Sequence, residues 1–340
     1  MPQPAPAAAV TALAALQPGE EGDFYALLAA REPLVTREGK PYFRVTFRDA
    51  GRDVSFPIWN DAPLADDCRD RWVVGEFYKL RALYRETNYG PQLDIRKIRA
   101  VTDEDCRSGF DPRICIAHSR FDAGAMFAEL CQLANAEISD PALRALVVGV
   151  LEEHRGALLT LPAATHNHHA YAAGFLEHVL SVAQTCVYFA RKYAALYPDL
   201  DPPLDPDLVV AGGVLHDIGK LRELESGPAG ASYTVAGTLI GHVLQGRDML
   251  REAAARWTID EEKLLRLEHV IVAHQRLPEW GSPKPPMTFE ALLVHFADDV
   301  DAKMQMMHNV FEATPPQETL TTSRNALGHR LYRGPRRDVS

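Results

Sequence analysis

Cysteine is scarce in this chain and forms no recognisable pattern. The five cysteines are odd in number and include no C-x-x-C pair; they are Cys68, Cys106, Cys115, Cys131 and Cys186. This usage argues against a disulfide framework and against a thiolate zinc knuckle. Reduced thiols are typical of a cytoplasmic protein, and that is the location we predict.

Long apolar runs and a basic N-terminal segment are also missing. No apolar stretch reaches the roughly 20 residues that span a membrane, so we predict no membrane partner. The first residues are rich in alanine and proline and lack the positive charge of a signal peptide. We therefore predict a flexible tail over residues 1–22.

An excess of positive charge is absent as well. The 340 residues include 36 Lys and Arg against 46 Asp and Glu, which gives a formal net charge of −10. This balance argues against a protein whose whole surface coats nucleic acid. The charge is uneven, however, because Phe24 to Thr102 hold 14 basic and 11 acidic residues. That segment can meet an anionic ligand while the acidic remainder handles metals.

Short β-forming runs with a period of two fill residues 23–103. They cover residues 42–48, 53–59, 77–84 and 92–98, and turn signals separate them. Four or five short strands in about 80 residues predict a small closed β-barrel, and the OB-fold fits that size best.

Basic and aromatic residues alternate along these strands. On a single-strand-binding face they would supply phosphate attraction and base stacking; the candidates are Phe43, Arg44, Arg48, Lys79 and Arg81. The alternative is that the rings fill the barrel while the arginines are solvated on its outside. The pattern leaves both interpretations open, since every small barrel needs aromatic filling.

The pattern changes to a helical period after a predicted linker at residues 104–121. Asp122, Asp140-Pro141 and Asp205-Pro206 are N-terminal capping signals. We predict an all-α domain over residues 122–312 and a loosely ordered basic tail over residues 313–340. The fold class is therefore a small β-barrel followed by a helical domain.

A histidine and an aspartate stand side by side where one apolar helix ends. His216-Asp217 closes that helix, Gly219 is placed to stop it, and Lys220 follows one turn later. Imidazole and carboxylate together suit a hard or borderline divalent metal. A lysine suits the anion that such a metal polarises.

Further histidines and aspartates face inward from neighbouring predicted helices. They are His178, His242, His274 and the pair Asp298-Asp299. Each alone is more often a satisfied core or surface residue than a ligand. Together they need a shared partner, because burying so many polar groups is costly, and a metal is the economical one.

This arrangement resembles the HD-domain metal phosphohydrolases, and most closely the YhaM-like 3′→5′ exoribonucleases. The segments that carry the resemblance are His168–Tyr171, Gly174–His178, Leu215–Lys220, Gly241-His242, Trp280–Pro283 and Ala297–Met304. The resemblance extends from about Asp23 to Tyr332. It implies an OB-fold nucleic-acid-binding domain ahead of an HD-type domain, which is the order predicted above.

The resemblance implies a set of metal ligands by position. The first ion would be held by His178, His216, Asp217 and Asp298, and a second by His242 and His274 with Asp217 bridging. Asp298 is preferred over Asp299 because the family ligand directly follows the alanine. Asp217 and Lys220 would be catalytic, the lysine neutralising charge on the phosphate.

One departure from the family concerns the second ion. Many relatives have two adjacent histidines where this chain has His274-Gln275, and glutamine is a poor metal ligand. His269 is a substitute, but it lies about 140° from His274 on an ideal helix. The number of ions stays open. So does the role of His168 and His169, which either contact substrate or cap the helix entry.

The resemblance implies a metal-dependent 3′→5′ exonuclease acting on single-stranded RNA, with DNA left open. The mixed ligand set favours Mn²⁺, with Mg²⁺ or Fe²⁺ as alternatives. Two other functions stay open: an HD phosphohydrolase of nucleotides or cyclic dinucleotides, and a nucleic-acid-binding adaptor with a decayed HD site, at which Gln275 hints. A homo-oligomer is also left open.

Overall fold

The structure is a computed structural model and describes residues 10–164, 169–227, 230–315 and 317–334. The chain divides into two compact units. The first comprises residues up to 118 together with residues 227–230, and the second comprises residues 119–226 and those from 231 onward. Strands dominate the first unit and helices the second.

The first unit is built on a mainly antiparallel sheet. Its elements are β1 (Val10–Thr11), β2 (Glu21–Val35), β3 (Pro41–Arg48), β4 (Asp53–Trp59), α1 (Ala65–Asp70), β5 (Phe77–Thr87), β6 (Gly90–Ala100) and α2 (Asp103–Arg107). The five long strands are hydrogen-bonded in the order β4-β3-β2-β5-β6, and β1 pairs with β2 in parallel.

The sheet is OB-like but it is not a closed barrel. The strand order, with a helix between the third and fourth long strands, confirms the prediction of an OB-type unit. The predicted closure is wrong, because no backbone pairing joins β4 to β6 in the part of the chain that the structure describes. Both edge strands contain a proline, Pro57 and Pro91, which cannot donate to a neighbouring strand.

Alternation along the strands produces the core of the first unit. Val45 and Phe47 on β3, and Tyr78 and Leu80 on β5, point inward and are buried. The ring of Phe47 lies 6.3 Å from that of Phe56 and 6.1 Å from that of Tyr78, centroid to centroid. For these rings the core-filling interpretation is therefore the correct one.

The tail predicted over residues 1–22 is wrong in its described part. Leu13 and Leu16 are fully buried and belong to the core of the sheet. The surrounding alanines and prolines suggested a flexible segment, so the sequence did not indicate that these two leucines are buried. Residues 10–22 are thus an integral part of the first unit.

The segment predicted as a linker also belongs largely to the first unit, which extends to residue 118. Phe110 and Cys115 are buried in a small apolar cluster with residues of β2. The Asp105 carboxylate accepts hydrogen bonds from Arg99 Nη2 at 2.7 Å and from the backbone N–H of Thr102 at 2.9 Å. The Arg99 bond holds the pKa of Asp105 far below its ordinary value, although burial opposes this.

Asp105→Asn is expected to destabilise the first unit by about 2–3 kcal/mol at neutral pH, because it breaks charge-assisted hydrogen bonds to a buried carboxylate. A carboxylate with a lowered pKa stabilises the fold fully above its unfolded pKa of about 3.9, and this contribution is lost as the pH falls further. Urea unfolding should therefore separate variant and parent less near pH 3 than at neutral pH. The exposed Asp103→Asn is the matched control; equal curves for both variants would contradict this role.

The second unit is a helical assembly that also holds most residues of a small two-stranded sheet. Its elements are α3 (Ala123–Glu137), α4 (Pro141–Glu153), α5 (Arg155–Leu158), α6 (Gly174–Leu196), α7 (Pro206–Leu215), α8 (Lys220–Glu223), β7 (Leu224–Gly227), β8 (Gly230–Tyr233), α9 (Val235–Ile240), α10 (His242–Ala254), α11 (Glu261–Ala273) and α12 (Phe289–Ala313). None of the described helices is both long and apolar enough to cross a membrane.

Side-chain caps begin the helices where the sequence predicts them. Asp122, Asp140 and Asp205 each accept a hydrogen bond from a backbone N–H two or three residues further on. Pro141 and Pro206 occupy the first helical positions. These predicted helix starts are confirmed.

The tail predicted as loosely ordered over residues 313–340 is packed in part of its described residues. Thr321 and Leu331 are buried, and Leu320 forms an antiparallel backbone bridge with Tyr332. The basic composition of this segment suggested a solvated tail, and its few apolar residues gave no sign in the sequence that they would pack.

Candidate functional site

Six residues predicted as ligands meet in the second unit. His178 lies on α6, His216 and Asp217 follow α7, His242 begins α10, His274 follows α11, and Asp298 lies on α12. All are buried except His242, which is only slightly exposed. Five separate helices therefore bring their polar side chains to one point.

Asp217 lies at the centre of this arrangement. Its Oδ2 atom is 3.6 Å from His178 Nε2 and 3.5 Å from His216 Nε2. Its Oδ1 atom is 3.3 Å from both His242 Nε2 and His274 Nε2. Each carboxylate oxygen thus faces one pair of histidines.

Asp298 and Asp299 point in different directions. Asp298 Oδ1 lies 3.3 Å from His178 Nε2 and 3.9 Å from His216 Nε2. Asp299 instead forms an ion pair with Lys303 one turn along the same helix, at 2.7 Å. The first aspartate of the doublet is the one that joins the cluster.

The second nitrogen of every histidine in the cluster is held by an oxygen. The Nδ1 partners are Asp301 for His178 at 2.7 Å, the carbonyl of Gly213 for His216 at 2.9 Å, Glu223 for His242 at 3.0 Å, and the carbonyl of Ile271 for His274 at 2.7 Å. Such contacts fix the tautomer and direct Nε2 inward, which is the usual outer support of metal-bound histidines.

Glycine at position 219 allows α10 to approach the doublet. Gly219 was predicted to stop α7, but that helix already ends at Leu215, and Gly219 has an ordinary right-handed conformation. A Cβ atom there would overlap the carbonyl oxygen of His242 and the amide nitrogen of Gly246. The glycine is therefore required for close packing that brings His242 to Asp217.

The geometry of the cluster fits a divalent cation. Both oxygens of Asp217 and the Nε2 atom of His242 are buried and accept or donate no hydrogen bond among the described residues. Lys220 Nζ lies 2.6 Å from Asp217 Oδ2, as an ion pair outside hydrogen-bond geometry. Imidazole nitrogens around unsatisfied carboxylate oxygens are the donor set such an ion takes.

The electrostatics of the cluster also fit a cation. Burial lowers the pKa of His216 to about 4, so its ring is neutral at neutral pH. Burial opposes the charge on His178, but the adjacent carboxylates of Asp217, Asp298 and Asp301 raise its pKa well above the ordinary value. Burial also opposes the charge on Asp217, yet Lys220 and the histidines hold its pKa far below the usual range. The cluster therefore contains buried negative charge that attracts a proton or a metal ion.

The other candidate residues have different positions. Gln275 lies beside the cluster, with its side-chain nitrogen 3.1 Å from His274 Nε2. His269 points away and accepts a hydrogen bond from the backbone N–H of Met287. His169 is buried, with Nε2 3.1 Å from Asp301 Oδ2. His168 lies outside the described residues.

The sequence alone did not identify Asp301 and Glu223 as site residues. Asp301 lies three residues after Asp298, hence on the same face of α12. Its carboxylate contacts His178, His169 and Ser181. Helical spacing from Asp298 was the signal that could have identified it.

Asp301→Asn is expected to weaken binding of a divalent cation by about 10- to 100-fold, since it removes the charged support of His178 Nδ1. Calorimetric titration with Mn²⁺ measures this directly. Asp299→Asn, on the same helix but paired with Lys303, should bind the ion as the parent does. Equal affinity of the two variants would show that Asp301 does not orient His178.

The first unit contains a groove of about 1170 Å³. Its lining includes Tyr42, Trp59 and Tyr89, together with Arg44 and Arg85. The rings of Tyr42 and Trp59 lie 5.1 Å apart, and Tyr89 is almost fully exposed. Exposed rings beside arginines are typical of a surface that binds single strands.

Of the predicted nucleic-acid-binding residues, only Arg44 lines this groove. Arg48 is bound to Asp53 and Arg81 to Asp23, both through bidentate ion pairs. The other two candidates, Lys79 and Phe43, lie near Asp105 and against the apolar core respectively. The charges of the paired arginines are therefore largely satisfied within the unit.

Residues 175–303 match the family model of the HD domain. The second unit, with its His/Asp centre on successive helices, thus defines an HD-domain protein. Over 305 residues the chain is 34% identical to the 3′-5′ exoribonuclease YhaM of Bacillus subtilis (strain 168), covering 88% of this chain and 90% of that protein. The chain belongs to the YhaM family.

Two solved structures resemble the first unit weakly. They are the second OB-fold domain of replication protein A from Methanococcus maripaludis, solved by NMR, and a crystal structure of a domain of the same protein. Each covers 27% of this chain and 95% or 96% of its own, at 14% identity and a TM-score of 0.22. The strand order of the unit, β4-β3-β2-β5-β6, is what makes it OB-like.

Proposed function

We propose that this protein is a metal-dependent exonuclease that removes nucleotides from the 3′ end of single-stranded RNA, with DNA as the alternative substrate. The observation that carries the proposal is the buried, ionised Asp217, whose two oxygens face two pairs of histidine Nε2 atoms and Lys220. Such a centre binds cations and an anionic phosphate together. Kinship with a 3′-5′ exoribonuclease supports both the direction and the substrate.

Two sets of ligands are proposed. One ion would be held by His178, His216, Asp217 and Asp298, and a second by His242 and His274 with Asp217 bridging. Imidazole and carboxylate without thiolate favour Mn²⁺, with Mg²⁺ and Fe²⁺ as alternatives. When bound, the ions supply Lewis acidity to the phosphoryl group and lower the pKa of water.

Lys220 is proposed to bind the phosphate. Burial opposes its charge, but the adjacent Asp217 raises its pKa, so the ammonium group stays protonated at neutral pH. A fixed cation next to the scissile group stabilises negative charge as it develops on the phosphoryl oxygens. Asp217 in turn holds the lysine and the histidines in one geometry.

The groove of the first unit is proposed to hold the strand. Trp59→Ala is expected to raise the Kd for single-stranded RNA by about 5- to 150-fold without changing its salt dependence, because stacking is not ionic. Arg44→Ala should instead make the plot of log K against log salt less steep, by the amount that corresponds to about one lost phosphate contact. Fluorescence anisotropy over a salt series separates the two effects. Val74→Ala is the control, since Val74 is as exposed as Trp59 but lies outside the groove. Parental Kd values for both Trp59→Ala and Arg44→Ala would contradict the proposal.

The deciding experiment incubates 5′-labelled single-stranded RNA with the protein and Mn²⁺, with and without chelator. A ladder of progressively shorter oligomers that disappears on chelation is the expected result. Turnover of free nucleotides without a ladder would instead favour a nucleotide phosphohydrolase, for which the cleft beside Lys220 is also large enough. Binding without any hydrolysis would indicate an adaptor.

Location and assembly are part of the proposal. All five cysteines are free, which suits a reducing cytoplasm. A row of exposed apolar side chains on α12, formed by Leu292, Phe296, Val300 and Met304, would be covered in a homo-oligomer. Sedimentation velocity over a range of protein concentrations measures the assembly state.

A further inference from the structure

A cleft of about 650 Å³ opens beside the His/Asp centre of the second unit. Lys220, His242 and Gln275 are among its lining residues. Two large aromatic side chains, Tyr233 and Trp280, line it as well. The volume lies within the range of small-molecule sites, and the lining combines charged groups with aromatic surface.

A tightly bonded turn presents Trp280 to this cleft. The backbone N–H groups of Trp280 and Ser282 both donate to the carbonyl oxygen of Leu277, at 3.0 and 3.2 Å. The Oγ atom of the fully buried Ser282 accepts a hydrogen bond from the backbone N–H of Gln275 at 3.0 Å. The turn is thereby tied to the segment that carries His274, so the backbone of Trp280 is held close to the centre.

Core packing does not account for either aromatic residue. Trp280 is 51% exposed and Tyr233 is 54% exposed. Neither belongs to the buried apolar clusters formed by the described residues of the second unit. A large ring left in water beside a charged centre is a ready contact for a ligand with both an apolar face and an anionic group.

We infer that this cleft is the subsite for the 3′-terminal nucleotide and that the terminal base stacks on Trp280. The inference rests on the proposed exonuclease activity and specifies how that site binds the terminal nucleotide of its substrate. The cations and Lys220 recognise only phosphate, so the nucleotide beyond the scissile bond needs its own contact. Stacking supplies that contact for every base, because each has a π-face. Tyr233 is the second aromatic surface of the same subsite.

The test compares two 5′-labelled single-stranded RNAs that differ only in whether the 3′-terminal ribose carries a base. On the ordinary RNA, Trp280→Ala is expected to lower kcat/KM by about 5- to 150-fold, mainly through KM, while Trp280→Phe retains most of the activity. On the RNA lacking the terminal base, the parent protein should already be slow, and Trp280→Ala should cause no further loss. Tyr188→Ala, an exposed aromatic on α6 outside the cleft, is the control.

Each outcome has a distinct meaning. A parent protein that hydrolyses neither RNA overturns the proposed function itself. With an active parent, equal losses for Trp280→Ala on both RNAs, or no loss on either, overturn the stacking subsite. Titration of Trp280→Ala with Mn²⁺ alone should give the affinity of the parent; weaker metal binding would mean that the tryptophan supports the centre and does not hold a base.

Discussion

Asp217→Asn is expected to abolish hydrolysis, with a fall in kcat/KM of at least about 10³-fold, and to reduce the content of bound divalent cation. Asparagine keeps the shape of the side chain but removes the charge that both pairs of histidines face. One of its two terminal atoms also becomes a donor, which repels the cation. Metal analysis of the purified variant and the RNA ladder assay measure the two effects on one preparation.

Asp299→Asn provides the matched control for this variant. It removes the same charge from the same unit, yet its parent residue is paired with Lys303 outside the cluster. Thermal unfolding monitored by circular dichroism shows whether each variant is folded. A folded Asp217→Asn protein with parental metal content and parental activity would exclude Asp217 from the centre.

Lys220→Met is expected to lower kcat by about 10²- to 10³-fold, the usual cost of removing one group that stabilises transition-state charge. Its affinity for a divalent cation should stay at the parental value or rise. The reason is that the lysine ammonium lies 2.6 Å from an oxygen of Asp217 and repels a cation approaching the same carboxylate. Single-turnover kinetics and calorimetric titration with Mn²⁺ separate these two effects.

A fall in kcat without a loss of cation affinity distinguishes a catalytic role of Lys220 from a structural one. A general loss of structure would weaken cation binding together with activity. Lys303→Met removes an exposed lysine of the same unit and should change neither quantity. Unchanged kcat in Lys220→Met would assign the lysine to ion pairing alone.

The helical framework of the centre was largely predictable because its signals are local. Aspartate caps followed by proline define the starts of α4 and α7 within a few residues. The inward positions of His178 and His274 follow from the spacing of apolar residues on their own helices. Strands β7 and β8 and helix α9 were not predicted. The sequence between Lys220 and His242, which contains them, has no clear hydrophobic periodicity.

The nucleic-acid-binding candidates illustrate what local patterns cannot provide. Arg81 lies directly opposite Asp23 in the register of β2 and β5, and Arg48 lies opposite Asp53 in that of β3 and β4. Whether an arginine is available to a ligand depends on these cross-strand partners. The partner of Arg81 lies 58 residues away in sequence, so strand register, which the sequence does not reveal, decides the outcome. The contact between Asp301 and His178 joins residues 123 apart in sequence and depends on how α12 packs against α6.

The four histidines of the centre differ in how easily mutation can remove the group that orients them. His216 and His274 are oriented by carbonyl groups of their own helix ends, and no side-chain replacement elsewhere can remove a carbonyl. His178 and His242 are oriented by the side chains of Asp301 and Glu223, which mutation can change one at a time. Divergence within this family can therefore retune one ligand from each pair while the other ligand of that pair stays fixed by the backbone.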